Sequence, residues 1–219
     1  MTAPRIVLIH ATALAMAPIQ AAFARGWPEA QLANILDDSL SVDRARAAEL
    51  TPYLFARFET LGDYAVTIGA RGILFTCSAF GTAIEAVARR LPVPVLKPNE
   101  AMFEAAFAHG RRIGMVGTFG PAMASMRVEF DEAAALHAPG ASLRDALSPA
   151  ARAALEGGDA ARHNALVAEA AATLRDVDAV MLAHFSTARA VDAVREQVSV
   201  PVLAAPEAAV AKLRKLLAA

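Results

Sequence analysis

The feature that most constrains the fold of this 219-residue chain is an internal repeat with an offset of 107 positions and no gap. Nine of the 29 positions in residues 73–101 are identical to their counterparts in residues 180–208. The other matches are Arg5–Ile9 with Arg112–Val116, and Leu36, Asp38 and Leu40 with Leu143, Asp145 and Leu147. Any two strand-helix units look alike at one locus, but one offset shared by four loci predicts a duplication.

The pattern inside each repeat predicts the fold class. Short apolar runs that end in polar or glycine-containing loops alternate with alanine-rich helical segments, as in α/β proteins with parallel sheets. We therefore predict two pseudo-symmetric Rossmann-like lobes, each a four-stranded parallel sheet flanked by helices, with the active site in the cleft between them. The predicted lobes are 1–97 plus 206–219, and 98–205. One helix is predicted over 43–62 and a short edge strand over 92–96, which contains two prolines.

Composition and charge exclude several classes of function. A 56% hydrophobic content fills a sizeable core, and 21 Lys and Arg against 22 Asp and Glu leave a net charge of -1, without the basic excess of a nucleic-acid binder. No apolar run reaches the ~18 residues of a membrane span, because His10, Pro18 and Gln20 interrupt the first one. Arg5–His10 is interpreted as a buried strand rather than part of a signal peptide. We expect a small-molecule partner, no nucleic acid and no membrane.

Cys77 is the only cysteine of the chain and the centre of the functional hypothesis. A single cysteine excludes a disulfide within the chain and suits a reducing compartment, so a cytoplasmic location is expected. The repeat aligns Cys77 with His184, and both follow the third predicted strand of their lobe. Ligands of open α/β sheets bind at the carboxyl ends of strands. A proton donor and a proton acceptor on opposite faces of one carbon are what stereoinversion requires.

These residues resemble the aspartate/glutamate racemase superfamily, with its hydantoin racemases, maleate isomerases and arylmalonate decarboxylases. The resemblance covers the whole chain and rests on the two lobes, Thr76-Cys77-Ser78, the glycine loop 114–118 and Leu182-Ala183-His184. The sequence departs from that family at His184, where a second cysteine is usual, and at His10, where an acidic or amide residue is common. The resemblance implies cofactor-independent acid-base catalysis by Cys77 and His184, and a homodimer.

The physical chemistry of the two strand ends predicts their roles. A helix N-terminus just after Cys77 favours its thiolate, and His184, with a reference pKa near ~6.5, serves as the acid at neutral pH. Main-chain amides and hydroxyls at both strand ends are expected to hold a carboxylate and an enediolate-like intermediate. No metal or organic cofactor is then required. The predicted substrate-binding residues are His10, Thr12, Ser78, Ala79, Thr118, Phe119, Phe185, Ser186 and Thr187.

The alternative for each of these residues is a purely structural role. Cys77 is then an inert core thiol, His184 is a structural histidine, and His10 packs in the core or a loop. A zinc site made of these three residues lacks any ligand-spacing motif. Lys97 is read as a solvated loop residue rather than a pyridoxal phosphate site, and the remaining histidines are predicted to be surface residues: His109, His137 and His163.

Three functions stay open at this stage. The first is racemization or epimerization at the carbon next to a carboxylate or carbonyl. The second is decarboxylation or cis-trans isomerization of a small dicarboxylate, with Cys77 as nucleophile or proton donor. The third is a bilobal small-molecule binding protein that lost catalysis when histidine took the second position.

Overall fold

The computed structural model describes residues 3–47 and 49–218, and it divides into two compact units. The first contains the residues up to Pro98 together with those from Ala209 onwards, and the second contains Asn99–Ala208. Each unit contains one four-stranded parallel sheet with helices packed against it, which confirms the predicted fold class of the two lobes.

The sheet of the first unit has the strand order β2-β1-β3-β4, with every neighbouring pair parallel. The strands are β1 (Arg5–His10), β2 (Gln31–Leu36), β3 (Gly72–Phe75) and β4 (Val95–Leu96). The helices are α1 (Met16–Gly26), α2 (Ser39–Arg46), α3 (Pro52–Thr67) and α4 (Gly81–Arg90). The two central strands are almost fully buried, because a parallel sheet is covered by helices on both faces.

The sheet of the second unit repeats that order as β6-β5-β7-β8, again with all neighbours parallel. The strands are β5 (Arg112–Gly117), β6 (Ser142–Leu147), β7 (Ala179–Leu182) and β8 (Val202–Ala204). The helices are α5 (Glu100–Phe107), α6 (Gly120–His137), α7 (Pro149–Glu156), α8 (Ala160–Ala171), α9 (Val191–Arg195) and α10 (Ala205–Ala218), and the boundary between the units falls within α10.

The offset of 107 holds for the first, third and fourth strands but is wrong for the second. Leu36 of β2 lies opposite His10, and Leu147 of β6 lies opposite Gly117, so these strands correspond at an offset of 111. The predicted match of Leu36, Asp38 and Leu40 with Leu143, Asp145 and Leu147 is therefore out of register. The preceding helical segment explains the shift of four, because α6 has 18 residues where α1 has 11 and the 3-10 helix Ala13–Ala15 before it has 3.

The single helix predicted over 43–62 is wrong, because the chain forms α2 and α3 instead. Pro52 begins α3, where its fixed φ and missing N–H are tolerated, and the Thr51 hydroxyl accepts a hydrogen bond from Leu54 N at 3.3 Å. The predicted strand over 92–96 is shortened to Val95–Leu96, at the edge of the sheet. Within the described residues, no helix has the length and apolar character needed to cross a membrane.

Candidate active site

Cys77 lies at the carboxyl end of β3, the strand next to β1 in the first sheet. Its backbone is ordinary extended chain, with φ -124° and ψ 119°, and its side chain is half-buried. A short 3-10 helix, Ser78–Phe80, follows it, and the α-helix begins only at Gly81. The α-helix N-terminus expected to favour the Cys77 thiolate thus lies four residues beyond Cys77, and the field of a helix terminus fades within one turn.

His10 forms a buried polar network beside the Cys77 strand end. The side chain is fully buried, with Nδ1 at 2.9 Å from Thr76 Oγ1 and Nε2 at 3.0 Å from Asn34 Oδ1. Thr76 N also donates to the carbonyl of Ile9 at 3.0 Å, so β1 and the end of β3 are joined through both main chain and side chains. The residue that His10 holds is the one directly before Cys77.

The burial of His10 changes the role that the sequence predicts for it. Both ring nitrogens are already hydrogen-bonded and the residue has no exposed surface, which leaves no atom for direct contact with a substrate. Burial lowers the pKa of His10, although its bond to Asn34 opposes that effect, so the imidazole is neutral at pH 7. The hydrogen bond to Thr76 links the His10 side chain to the residue before Cys77.

His184 lies at the carboxyl end of β7, but its backbone differs from that of Cys77. With φ 71° and ψ 147° it occupies a region that is normally left to glycine and costs about 1 to 3 kcal/mol for other residues. The buried hydroxyl of Thr187 donates to the carbonyls of Ala183 and His184, the latter at 2.9 Å, and stabilises this turn. The Thr187 hydroxyl is thus engaged with the main chain.

The imidazole of His184 packs against the backbone of Gly117. A Cβ atom at Gly117 would lie 3.1 Å from His184 Nε2 and 2.2 Å from Met123 Sδ, so the ring is accommodated because residue 117 has no side chain. Nε2 is buried and has no hydrogen-bond partner among the described residues. The ring is therefore held by packing alone on that side.

The protonation of His184 differs from the sequence-based expectation. Burial, followed by the positive charge of Arg152, lowers the pKa of His184 to about 4. The imidazole is consequently neutral at pH 7. The expectation of an ordinary pKa at His184 is therefore wrong.

Arg152 is a residue of this site that the sequence reasoning missed. It lies in the first turn of α7, directly after β6, and its guanidinium carbon stacks 4.2 Å above the ring of Phe119. Arg152 Nε also forms an ion pair with Glu156 at 2.7 Å. Ser148 N donates to Gly117 O at 2.9 Å and joins the start of α7 to the end of β5. The feature of the sequence that could have indicated Arg152 is its position just after the end of a strand.

The other predicted substrate-binding residues fall into two groups by exposure. Those with exposed surface are Thr12, Ser78, Ala79, Phe119 and Ser186, and those that are buried are Thr118 and Phe185. The Thr12 hydroxyl accepts from Leu14 N at 3.4 Å, and the carbonyl of Ala79 accepts from Arg44 Nε at 3.2 Å. Phe119 is 43% exposed, and the Arg152 guanidinium lies over its ring.

Two further sequence-based interpretations concern histidines and metal ions. His163 is not a surface residue but is fully buried, with Nδ1 at 2.8 Å from the carbonyl of Ala151, because it joins α8 to α7. His109 and His137 are exposed, as predicted. Across residues 3–47 and 49–218, no group of three or more His, Cys, Asp or Glu side chains is arranged to hold a metal ion.

Comparison with known proteins adds structural relatives only. No protein-family model and no curated protein matches the chain. An aspartate racemase homologue from Pyrococcus horikoshii matches with a TM-score of 0.73 and 15% identity, over 100% of both chains. Allantoin racemase from Klebsiella pneumoniae matches with a TM-score of 0.72 and 16% identity, over 99% of this chain and 88% of the other.

A glycine-to-cysteine variant of arylmalonate decarboxylase also matches, with a TM-score of 0.69 and 18% identity over 98% of this chain and 94% of the other. The chain has the fold of these racemases and of this decarboxylase. The racemase fold thus accounts for both parallel sheets and for their common strand order. At such low identities the likeness establishes the architecture, and the chemistry must be argued from the residues of this chain.

Proposed function

We propose that this protein is a cofactor-independent isomerase of the aspartate/glutamate racemase superfamily, which racemizes or epimerizes a small carboxylic acid at the carbon next to the carboxylate. Cys77 and His184 are the catalytic residues in this proposal. They exchange protons with opposite faces of the same carbon. The proposal requires the two side chains to face one bound substrate from opposite sides.

One observation carries the proposal above all others. Cys77 and His184 occupy the same position in two equivalent sheets, at the carboxyl end of the strand beside the first strand, within a chain that has the racemase fold. Ligands of parallel α/β sheets bind at that edge. A thiol and an imidazole are also two of the side chains best suited to proton transfer near neutral pH.

The neutral state of His184 sets the direction of the first proton transfer. His184 removes the proton from carbon, and the electron pair of the broken C–H bond moves into the carboxylate to give an enediolate. The thiol of Cys77 then donates its proton to the opposite face, which inverts the centre and leaves a thiolate and an imidazolium. For the other enantiomer the same steps run backwards, with the thiolate as base and the imidazolium as acid.

Arg152 has two roles in this proposal. Its guanidinium is a donor for the substrate carboxylate, since planar carboxylates are the preferred partners of arginine. Its charge also lowers the pKa of His184 in the absence of substrate. A bound carboxylate offsets that charge and raises the pKa of His184, which makes the imidazole a stronger base when substrate is present.

Decarboxylation of a small dicarboxylate is the second candidate, and the asymmetry of the pair favours it. Loss of carbon dioxide leaves the electron pair on carbon without any base, so only one proton donor is needed. Cys77 supplies that donor, while the lowered pKa of His184 makes its imidazole poorly suited to holding a proton. In this reaction His184 contributes shape rather than proton transfer.

Incubation with a panel of chiral carboxylic acids and malonate-type diacids in deuterated water tests the proposal. The isomerase predicts loss of optical activity with deuterium at the α carbon, and its dependence on both Cys77 and His184. Release of carbon dioxide with dependence on Cys77 alone would move the assignment to the decarboxylase. Tight binding without exchange or carbon dioxide release would contradict both and identify a binding protein.

A further inference from the structure

The first unit contains a polar cavity at the edge of its sheet opposite to Cys77. The cavity has a volume of about 810 Å³ and lies where β1, β2 and β3 begin. Its lining residues are Ala3, Pro4, Arg5, Trp27, Gln31, Gly69, Arg71, Arg214, Leu217 and Ala218. β1 runs six residues from Arg5 to His10, about 20 Å at ~3.3 Å per residue, so this cavity is separate from the Cys77 strand end.

The charge of the lining is strongly one-sided. Arg5, Arg71 and Arg214 contribute three positive charges, and no acidic side chain is among the described residues that line the cavity. The whole chain has a net charge of only -1, so this concentration of cations does not follow from a general basic character. Three guanidinium groups around one cavity repel each other, and a bound anion removes that repulsion.

Two of the three arginines donate to carbonyls at the ends of helices, but these bonds use only a few of the guanidinium N–H donors. Arg5 donates to the carbonyl of Ile68, and Arg214 donates to the carbonyl of Gly26 at 2.9 Å, where α3 and α1 end. These bonds fix two guanidinium groups in place, and each group has five N–H donors. The Arg71 guanidinium has no hydrogen bond or ion pair with any described residue. Its main-chain N–H donates to Arg5 O at 2.8 Å, which holds Arg71 beside Arg5.

The size and the apolar part of the lining indicate an organic ligand. A cavity of this volume is within the range of small-molecule sites and larger than a lone inorganic anion needs. Trp27 and Leu217 provide apolar surface beside the arginines, and the Trp27 ring is held by stacking on Phe23 at 6.2 Å between centroids. Fixed cations next to a rigid aromatic ring suit an anion with a carbon skeleton.

We propose that this cavity binds a small organic polyanion, whose phosphate or carboxylate groups contact Arg5, Arg71 and Arg214 and whose carbon skeleton packs on Trp27. The site is independent of the proposed isomerase chemistry, because it lies at the opposite edge of the sheet. A ligand there acts as an effector or as a stabiliser of the first unit, and it binds whether or not Cys77 is catalytic.

Trp27 is the only tryptophan of the chain, so its fluorescence reports directly on this cavity. We would titrate adenosine diphosphate and citrate at constant ionic strength, which separates phosphate from carboxylate recognition. A saturable change with at least one of them is expected below about 10 mM, and the tighter ligand identifies the preferred group. The absence of saturation with both, or an equal change with sodium chloride, would overturn the proposal.

Substitutions in the lining provide the second part of the test. Arg71→Gln and Arg214→Gln are expected to weaken binding by about tenfold each, as expected for loss of a charge-assisted hydrogen bond. Arg162→Gln removes the same charge from an exposed position of the second unit and is expected to leave binding unchanged. Equal affinity in the double variant Arg71→Gln/Arg214→Gln and in Arg162→Gln would contradict the site.

Discussion

The two strand ends at Cys77 and His184 are related by the repeat but are built differently. In the first unit the imidazole belongs to His10 on β1, is fully hydrogen-bonded and supports the residue before Cys77. In the second unit the counterpart of His10 is Gly117, and the imidazole of His184 on β7 packs into the space that this glycine leaves. Each unit thus has one histidine between its first and third strands, contributed by different strands.

The difference shows how one architecture places a thiol and an imidazole at equivalent strand ends in different surroundings. Cys77 sits on relaxed extended backbone with a supporting histidine beneath it. His184 sits on backbone in the left-handed region, and burial keeps its imidazole neutral. The first unit holds a supported thiol and the second an imidazole on strained backbone, so substitutions at the two ends should have different effects on stability and activity.

Replacement of Cys77 by alanine should have the largest effect on activity. We expect a loss of roughly 10²- to 10⁴-fold in the rate of isomerization, since the variant has no group for proton transfer on that face. The free energy of unfolding should change little, because the side chain is only half-buried and its backbone is unstrained. Chiral chromatography of the product and urea unfolding measure the two quantities.

Replacement of His184 by glutamine should cause a similar loss of isomerization, roughly 10²- to 10⁴-fold, because the amide cannot accept the proton. His137→Gln is the matched control, since His137 is exposed in the same unit. If His184→Gln keeps the full rate of carbon dioxide release from a diacid while Cys77→Ala loses it, the protein is the decarboxylase. His184→Cys introduces the second cysteine that is usual in the racemase superfamily, and this variant should gain activity on amino acids.

Substitution of Gly117 by alanine should disturb the second strand end through packing. The added Cβ would lie 2.2 Å from Met123 Sδ and 3.1 Å from His184 Nε2, and we expect a destabilisation of about 1 to 3 kcal/mol. Gly120→Ala is the control, because its Cβ would meet only Leu147 at an ordinary 3.6 Å. Equal urea midpoints for the two variants would show that His184 does not need the space at Gly117.

Acid should destabilise the protein through His184. Because the folded-state pKa is about 4 and the unfolded value is higher, the unfolded chain binds more protons between these values. The contribution of His184 to the free energy of unfolding is therefore complete above the unfolded pKa. It falls as the pH decreases, by about 2 kcal/mol between pH 7 and pH 5. The pKa values of His10 and His163 are also lowered by burial and add to the same trend. The free energy of unfolding, measured with urea across this pH range, should depend less on pH for His184→Gln than for wild type.

Replacement of Arg152 by glutamine should have the smallest effect, about a tenfold increase in KM with a smaller change in kcat. The variant also removes a charge that lowers the pKa of His184, so the acid limb of the kcat/KM profile should move to higher pH. Arg162→Gln is the control for loss of a positive charge in the same unit. An unchanged KM together with an unchanged acid limb would remove Arg152 from the site.

The sheets were predictable because their central strands are buried on both faces and therefore form short, uninterrupted apolar runs. The second strands were harder to align within the repeat. Gln31–Leu36 and Ser142–Leu147 are partly exposed, and α6 is longer than α1. That insertion breaks a gapless repeat without leaving any mark in local composition.

The positions of the two candidate catalytic residues were predictable from the sequence, but their surroundings were not. The repeat aligned Cys77 with His184, but the burial of His10 and the left-handed backbone of His184 result from tertiary packing. Arg152 was not predictable, because its stacking over Phe119 and the effect of its charge on His184 arise only in the folded protein and have no sequence signature. Sequence identifies such groups, whereas their protonation depends on the folded surroundings.

The most direct test of the central claim is the loss of the α proton of each separate enantiomer in deuterated water, followed by proton magnetic resonance. If Cys77 and His184 serve opposite faces, Cys77→Ala will exchange only the enantiomer that His184 deprotonates, and His184→Ala will exchange only the other one. Exchange of the same enantiomer in both variants, or exchange of both enantiomers at the wild-type rate in either, would contradict the two-base account.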